Sequence, residues 1–152
     1  MVLAVQDLLT NPRLGLRLLT GPGADDREIR WAHACELADP TEFVEGGELL
    51  LLTGVGLPRD SVGQAEYVTR AAAAGVAALG FGIGLSHSVV PAAMIDAADR
   101  CDLPLLEVPR PTPFMAIIKV VARAFARREL AEKEFVLAAQ CRLTAAAVGP
   151  GG

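Results

Sequence analysis

Residues 48–53 read Glu-Leu-Leu-Leu-Leu-Thr, and four leucines in a row leave no polar face for water. Six residues is a strand's length, and a strand apolar on both sides needs cover on both, as in a parallel sheet sandwiched between helices. The next stretch of chain supplies that cover. Gly54-Val55-Gly56 leads into a helically spaced segment in which Ser61 and Gln64 form a capping box, Val62, Ala65, Val68 and Ala72 mark the inner face, and Gly75 ends it. The unit then recurs, with a strand over 76–81, a Gly82-Ile83-Gly84 loop, and a helix carrying Val90, Ala93, Met94, Ala97, Ala98 and Cys101 on one stripe up to Asp102. A further strand over 103–108 is entered at Pro104 and left through Pro109, Pro111 and Pro113. Two β-α-β crossovers of this kind predict an α/β fold with a mostly parallel sheet, flavodoxin-like or a related layered sandwich.

The flanking segments extend this plan. Residues 5–9 suit a helical turn or two before Asn11-Pro12, and Leu14, Leu16 and Leu18 alternate as in a half-buried strand. Ile29, Trp31 and His33 share one face of a second strand, with Arg30 on the other. Asp39-Pro40-Thr41-Glu42 has the caps of a short helix, which Gly46-Gly47 closes. After Thr112-Pro113, no proline or glycine intervenes before Gly149, room for a helix of about 35 residues and roughly 50 Å. Its first half carries an apolar stripe of Phe114, Ile117, Ile118, Val121 and Phe125; Arg127, Arg128, Glu129, Glu132, Lys133 and Glu134 follow. The expected organisation is a domain over 1–112, a helix over 113–148 that docks and then connects or dimerises, and a flexible end over 149–152. A helix leading outward in this way is expected of a piece of a longer chain.

Composition narrows the function classes. With 152 residues, 52% of them hydrophobic, the chain has enough apolar surface for one core. Fourteen basic against eighteen acidic residues give a net charge of −4, which offers phosphate backbones and anionic lipid no broad attraction, so this segment is not expected to bind DNA alone. No apolar run approaches the ~20 residues of a membrane span, and the first ten residues lack a leader's basic and apolar regions, so a cytoplasmic protein without membrane contact is expected. Cys35, Cys101 and Cys141 have neither zinc nor disulfide spacing and read as reduced, mostly buried thiols. The sequence has no Walker loop, GxSxG elbow, HExxH or EF-hand, and Gly80-x-Gly82-x-Gly84 lacks dinucleotide spacing. No cofactor and no metal are expected.

Ligands of open parallel sheets sit beyond the carboxyl ends of the strands, where loops expose N–H groups. Three loops qualify: Thr53-Gly54-Val55-Gly56, Gly82-Ile83-Gly84 followed by Ser86, His87 and Ser88, and Glu107-Val108-Pro109. They nominate Thr53, Gly54, Gly82, Ile83, Gly84 and Glu107 as ligand-binding residues, against the plainer reading that the glycines only make tight turns. His33 reads as a core or edge histidine, and Ser86 or Ser88 as caps of the next helix. A Ser88–His87 dyad would lack a third orienting group. Glu36, Glu48 and Glu107 read as pH-active acids or as edge charges or caps, with edge charge the default, and Arg110 as an anion fork or a partner of Asp102 or Glu107.

The segment Trp31-Ala32-His33-Ala34-Cys35-Glu36-Leu37-Ala38-Asp39-Pro40, then Gly46-Gly47-Glu48-Leu49-Leu50-Leu51-Leu52-Thr53-Gly54, resembles the N-terminal domain of PucR-type, purine catabolism regulator-like transcription regulators. The order continues through residues 75–82, Val90-Pro91, Leu103-Pro104-Leu105-Leu106-Glu107-Val108-Pro109 and Pro113-Phe114, covering about residues 3–125. Where that family often has Thr-Thr-Gly, this chain has Leu52-Thr53-Gly54, one hydroxyl fewer at the supposed crevice. The resemblance implies a non-enzymatic α/β sensor module responding to nitrogen metabolites or pathway intermediates, with a helix-turn-helix domain, absent from this chain, contacting DNA. A homodimer is expected, with Phe114, Ile118, Val121 and Phe125 as dimer or docking positions. The competing readings are a ligand-free oligomerisation or protein-interaction module and, less favoured, a small hydrolase or transferase using His87 and Ser88.

Overall fold

A computed structural model describes residues 3–20 and 26–148, so the expected flexible end over 149–152 lies outside the described residues. The elements are α1 (Val5–Leu9), β1 (Arg17–Leu18), β2 (Trp31–Ala34), β3 (Glu48–Leu52), α2 (Ser61–Ala73), β4 (Ala78–Gly82), α3 (Ala92–Arg100), β5 (Leu105–Val108) and α4 (Phe114–Val148). One sheet has the order β1-β5-β4-β3-β2, with β2 to β5 parallel and β1 antiparallel to β5. The architecture is the layered α/β sandwich expected, in the form where successive parallel strands are always neighbours and the order never reverses.

Alternation along each strand divides the core. Leu50, Leu52, Leu79, Phe81 and Leu105 pack with α2 and α3, through Tyr67, Val68, Met94 and Ala98. Leu49, Leu51, Ala78, Leu106 and Val108 face the other way, onto Val5 and Leu8 of α1 and Ile117 and Val121 of α4. All five residues of β3 are buried, as a strand covered on both faces requires.

Several local expectations are corrected. The strand expected over 14–18 is two residues long, because Gly15 takes φ +65° and leaves the extended region, while Leu14 and Leu16 are buried from a loop. In β2 the core residue is Ala32, whereas Trp31 is 42% exposed, since β2 is the outermost strand and much of its surface is wet. The capped segment after Asp39 forms only a 3₁₀ turn, Thr41–Phe43, with the Asp39 carboxylate accepting from the Thr41 N–H at 3.0 Å and its hydroxyl at 2.6 Å. Asp60, not Ser61, caps α2, accepting from the Gly63 N–H at 2.9 Å, and the Gln64 amide donates to the Pro58 carbonyl. The inner face of α2 is accordingly turned to Gln64, Tyr67, Val68 and Ala71, leaving Val62 exposed. Pro91 precedes α3 without a side-chain cap, so neither Ser86 nor Ser88 serves that end. Cys35 and Cys101 are free and half-buried.

α4 positions one end of the molecule against the other. It starts beyond the carboxyl end of β5, lays Ile117 and Val121 on the sheet, and brings Phe125 to Trp31 at the amino end of β2, ring centroids 5.3 Å apart and edge-on at 78°. An Arg128–Glu28 ion pair lies one turn further on.

Candidate functional site

Parallel register carries the nominated residues to one rim. Leu52 pairs with Phe81, Phe81 with Glu107, and Gly82 with Val108, so Thr53, Gly82 and Glu107 emerge from neighbouring strands at their common carboxyl edge. The Ile83 N–H donates to the Val108 carbonyl at 3.1 Å, extending the ladder by one step, and the Gly84 N–H donates to the His87 carbonyl at 2.7 Å, closing the loop behind it. Glu107 is half-buried; strand alternation puts it on the α2 and α3 side, beside Phe81.

The strongest polar feature of this rim is the Glu36 carboxylate. It accepts from the Thr53 N–H at 2.8 and 2.9 Å, from the Gly54 N–H at 3.3 Å, and from the Thr53 hydroxyl. A carboxylate accepting several N–H and O–H donors replaces the next ladder partners that β3 would otherwise need. Glu36 is thus a loop clasp and not an edge charge, and it bonds the two halves of the sequence pattern, the His-x-x-Glu-Leu segment and the Thr-Gly strand end. Sequence reasoning missed it as a site residue; its signal was the pairing of that glutamate with Thr-Gly seventeen positions on. At the opposite end of β3, Glu48 is buried and accepts from the Glu45 and Gly46 N–H groups at 2.8 and 2.5 Å, the same device at the strand's start.

Glycine opens the rim to close contacts that the chain fills with its own side chains. Gly54 has φ +88°, and a Cβ there would lie 2.6 Å from His87 Cδ2 and 2.8 Å from Phe81 Cζ. The imidazole accordingly rests on Gly54 and edge-on to Phe81, centroids 5.5 Å apart. A Cβ on Gly82 would lie 2.8 Å from Phe114 Cζ, and one on Gly84 would lie 3.1 Å from the stem of Arg110. Arg110 packs on this loop, and the Asp102 carbonyl is taken by Arg27 at 3.1 Å. Leu52, where the resemblance suggested a missing hydroxyl, is buried with the α2 and α3 core, so that position contributes nothing to the crevice.

Behind the clasp lies the Tyr67 phenol, 1% exposed, whose hydroxyl has no hydrogen-bond partner among the described residues. Burial pushes its pKa well above the ordinary phenol range, and the neighbouring Cys35 and Glu36 add to the shift, so the hydroxyl stays protonated and able to donate. No group of three His, Cys, Asp or Glu residues among those described has the geometry of a metal site. The docking positions separate: Val121 is buried, Phe114 and Ile118 are half-buried against the sheet, and Phe125 is 38% exposed over Trp31. His33 lines an open groove of about 760 Å³ along the β2 edge, with Trp31, Phe125, Arg30 and Glu45.

The chain is thus an α/β domain whose glycine-lined rim packs against the root of a long helix. The chain belongs to the purine catabolism regulatory protein-like (PucR) family, which it matches over residues 7–125, and is a PucR-type transcription regulator domain. It is 37% identical over 125 residues to the "Transcriptional activator PmfR" of Paenarthrobacter nicotinovorans, a match covering 82% of this chain and 27% of that protein. The chain therefore spans about a quarter of that relative's length. No solved structure matches it. No helix among the described residues is long and apolar enough to cross a membrane.

Proposed function

We propose that residues 1–112 form a small-molecule-responsive regulatory domain of a cytoplasmic transcription regulator, and that the helix over 113–148 relays its state toward a DNA-binding domain of the full-length protein. Ligand would contact Thr53, Gly54, Gly82, Ile83, Gly84 and Glu107 at the carboxyl rim. The observation that carries this reading is the seat of Phe114 on Gly82, which makes the first residue of α4 part of the rim wall. A ligand that reshapes the 82–84 loop must move or trap that ring, and with it the helix docked through Ile118, Val121 and Phe125. Such a ligand has to bind one arrangement better than the other, and a coupling of about 1–3 kcal/mol is typical. The family's name suggests a purine or another nitrogen metabolite as effector, and a homodimer whose α4 geometry changes is the proposed readout.

The test is thermal shift of the 152-residue chain against a panel of purines, ureides and related nitrogen metabolites, followed by hydrogen exchange of residues 114–125 for each hit. A hit that raises the melting temperature and alters exchange in that stretch supports the reading. Hits that leave the stretch unchanged overturn the relay, and a panel without hits overturns the sensing.

A second reading, a ligand-free oligomerisation module, is favoured by one observation: His87, Phe114 and Arg110 already occupy the space above three rim glycines. It predicts that Leu130→Lys, an exposed position of α4, abolishes self-association while leaving the fold intact.

A further inference from the structure

The open groove of about 760 Å³ beside β2 lies at the amino ends of the parallel strands, opposite the carboxyl rim. Its volume falls within the roughly 300–1,000 Å³ of small-molecule sites. β2 ends the sheet, so its outer side pairs with no described strand, and the groove runs between the loop at Glu45 and Gly46 and Phe125 of α4. Alternation sets Trp31 and His33 on the face of β2 opposite the core residue Ala32, and Phe125 reaches Trp31 across the edge. Phe125 comes eleven positions after Phe114, about 16 Å further along α4, so the groove is distinct from the rim.

The lining specifies a chemistry. Trp31 and Phe125 are both partly exposed and meet edge-on, an arrangement that leaves a ring face open beside a ring edge and on which a third flat ring packs. Arg30 forms no ion pair among the described residues, and its stem is held across Gly47, where a Cβ would lie 2.9 Å from the Arg30 Cδ. A guanidinium held in this way offers a carboxylate two parallel N–H donors. A second charge in the lining has the opposite sign. The Glu48 carboxylate is buried and already accepts from the Glu45 and Gly46 N–H groups, but the exposed Glu45 carboxylate accepts from no group among the described residues. An acid group beside Glu45 meets a like charge, whereas an N–H donor there gains an acceptor.

We propose that this groove binds a planar aromatic acid that carries an N–H donor away from its acid group. The ring lies against Trp31 and Phe125, the acid on Arg30 and the donor at Glu45, with the His33 imidazole as a further polar contact. The site is independent of any ligand at the rim. Because the ring touches Phe125, an occupied groove holds α4 against β2.

4-Aminobenzoate supplies all three features, and Trp31, the sole tryptophan, reports through a single indole N–H signal. In proton–nitrogen NMR of the 152-residue chain, 4-aminobenzoate should shift that signal and the amides of Arg30, Trp31 and His33 saturably, with a Kd of about 1 mM or tighter, and leave Gly54 and Gly82 unmoved. Benzoate, which lacks the donor, and aniline, which lacks the acid, should each bind about fivefold more weakly. Arg30 and Glu45 are exposed, so Arg30→Gln and Glu45→Gln should keep the wild-type circular dichroism. Arg30→Gln should weaken 4-aminobenzoate about fivefold and leave aniline unchanged, while Glu45→Gln should erase the preference for 4-aminobenzoate over benzoate. No saturable shift up to about 10 mM overturns the proposal, and that includes a groove closed by a second copy of the chain. Shifts confined to residues 53–54 and 82–84 overturn it too, by putting the ligand at the rim. Equal binding of aniline or of cyclohexanecarboxylate does the same, since the acid or the ring then plays no part in recognition.

Discussion

The ring of Phe114 occupies the space that a side chain on Gly82 would need, with its Cζ 2.8 Å from the position of a Cβ. One residue ends a central strand and the other begins a helix that spans the sheet, so the contact joins the rim to α4. Gly82→Ala should push the ring aside and destabilise the chain by about 1–3 kcal/mol, the usual range for overpacking. Urea denaturation measures the loss, and Phe114→Leu in the same chain should recover part of it by returning the space.

Removing the charge of Glu36 tests the clasp. Glu36→Gln keeps the shape but leaves an amide where a carboxylate accepts from Thr53 and Gly54, and hydrogen bonds to charged groups contribute about 1.5–3 kcal/mol each where buried. Because the site is only part-buried, a net loss of about 1–2 kcal/mol is expected in chemical denaturation. Increased amide exchange at Thr53 and Gly54 would place the loss at the strand end.

Tyr67→Phe should leave stability at neutral pH unchanged or raise it by up to about 1 kcal/mol, since the hydroxyl removed is buried without a partner. The alkaline behaviour has a definite sign. The folded phenol titrates above the unfolded one, so the wild type is fully stabilised below the ordinary value of 10.0 and loses stability as pH rises beyond it. The limiting slope is about 1.4 kcal/mol per pH unit. Denaturation midpoints between pH 9 and 11 should fall less steeply in Tyr67→Phe than in wild type, on the scale set by that single phenol.

Trp31 is the sole tryptophan, so its fluorescence reports the docking of α4 through Phe125. A double-mutant cycle of Trp31→Leu and Phe125→Leu should return a coupling of about 0.5–1.5 kcal/mol, as edge-on aromatic pairs do. Phe125→Leu alone should shift the emission to longer wavelength as water reaches the indole.

Much of this architecture was legible in the chain because its central strands are unusually apolar. Four leucines cannot be half-wet, so β3 and its covered neighbours followed from residue type alone, as did the helix after Pro113. The extent of β1 was not legible: alternation over 14–18 suggested a longer strand, whereas pairing with β5, Arg17 to Glu107 ninety positions away, holds only Arg17 and Leu18. The face of α2 was misjudged by one position because Ser61 and Asp60 are both good caps, and the backbone chose the aspartate. At the rim, loop glycines correctly marked where the chain turns, but their second role, as seats for His87, Phe114 and Arg110, depends on side chains arriving from other segments. Glu36 was read only as an edge charge or cap for the same reason, since the donors its oxygens accept from, at Thr53 and Gly54, lie seventeen and eighteen positions on.

The uninterrupted strand order β2, β3, β4, β5 has a bearing on how the chain assembles. Each parallel strand is laid beside the one completed just before it, so the sheet can grow in the order of synthesis, with short loop closures at every step. Arg17 and Leu18 are the exception: made early, they have no edge to join until residues 105–108 arrive, so β1 is the last strand of the sheet to pair although α1 before it can already pack.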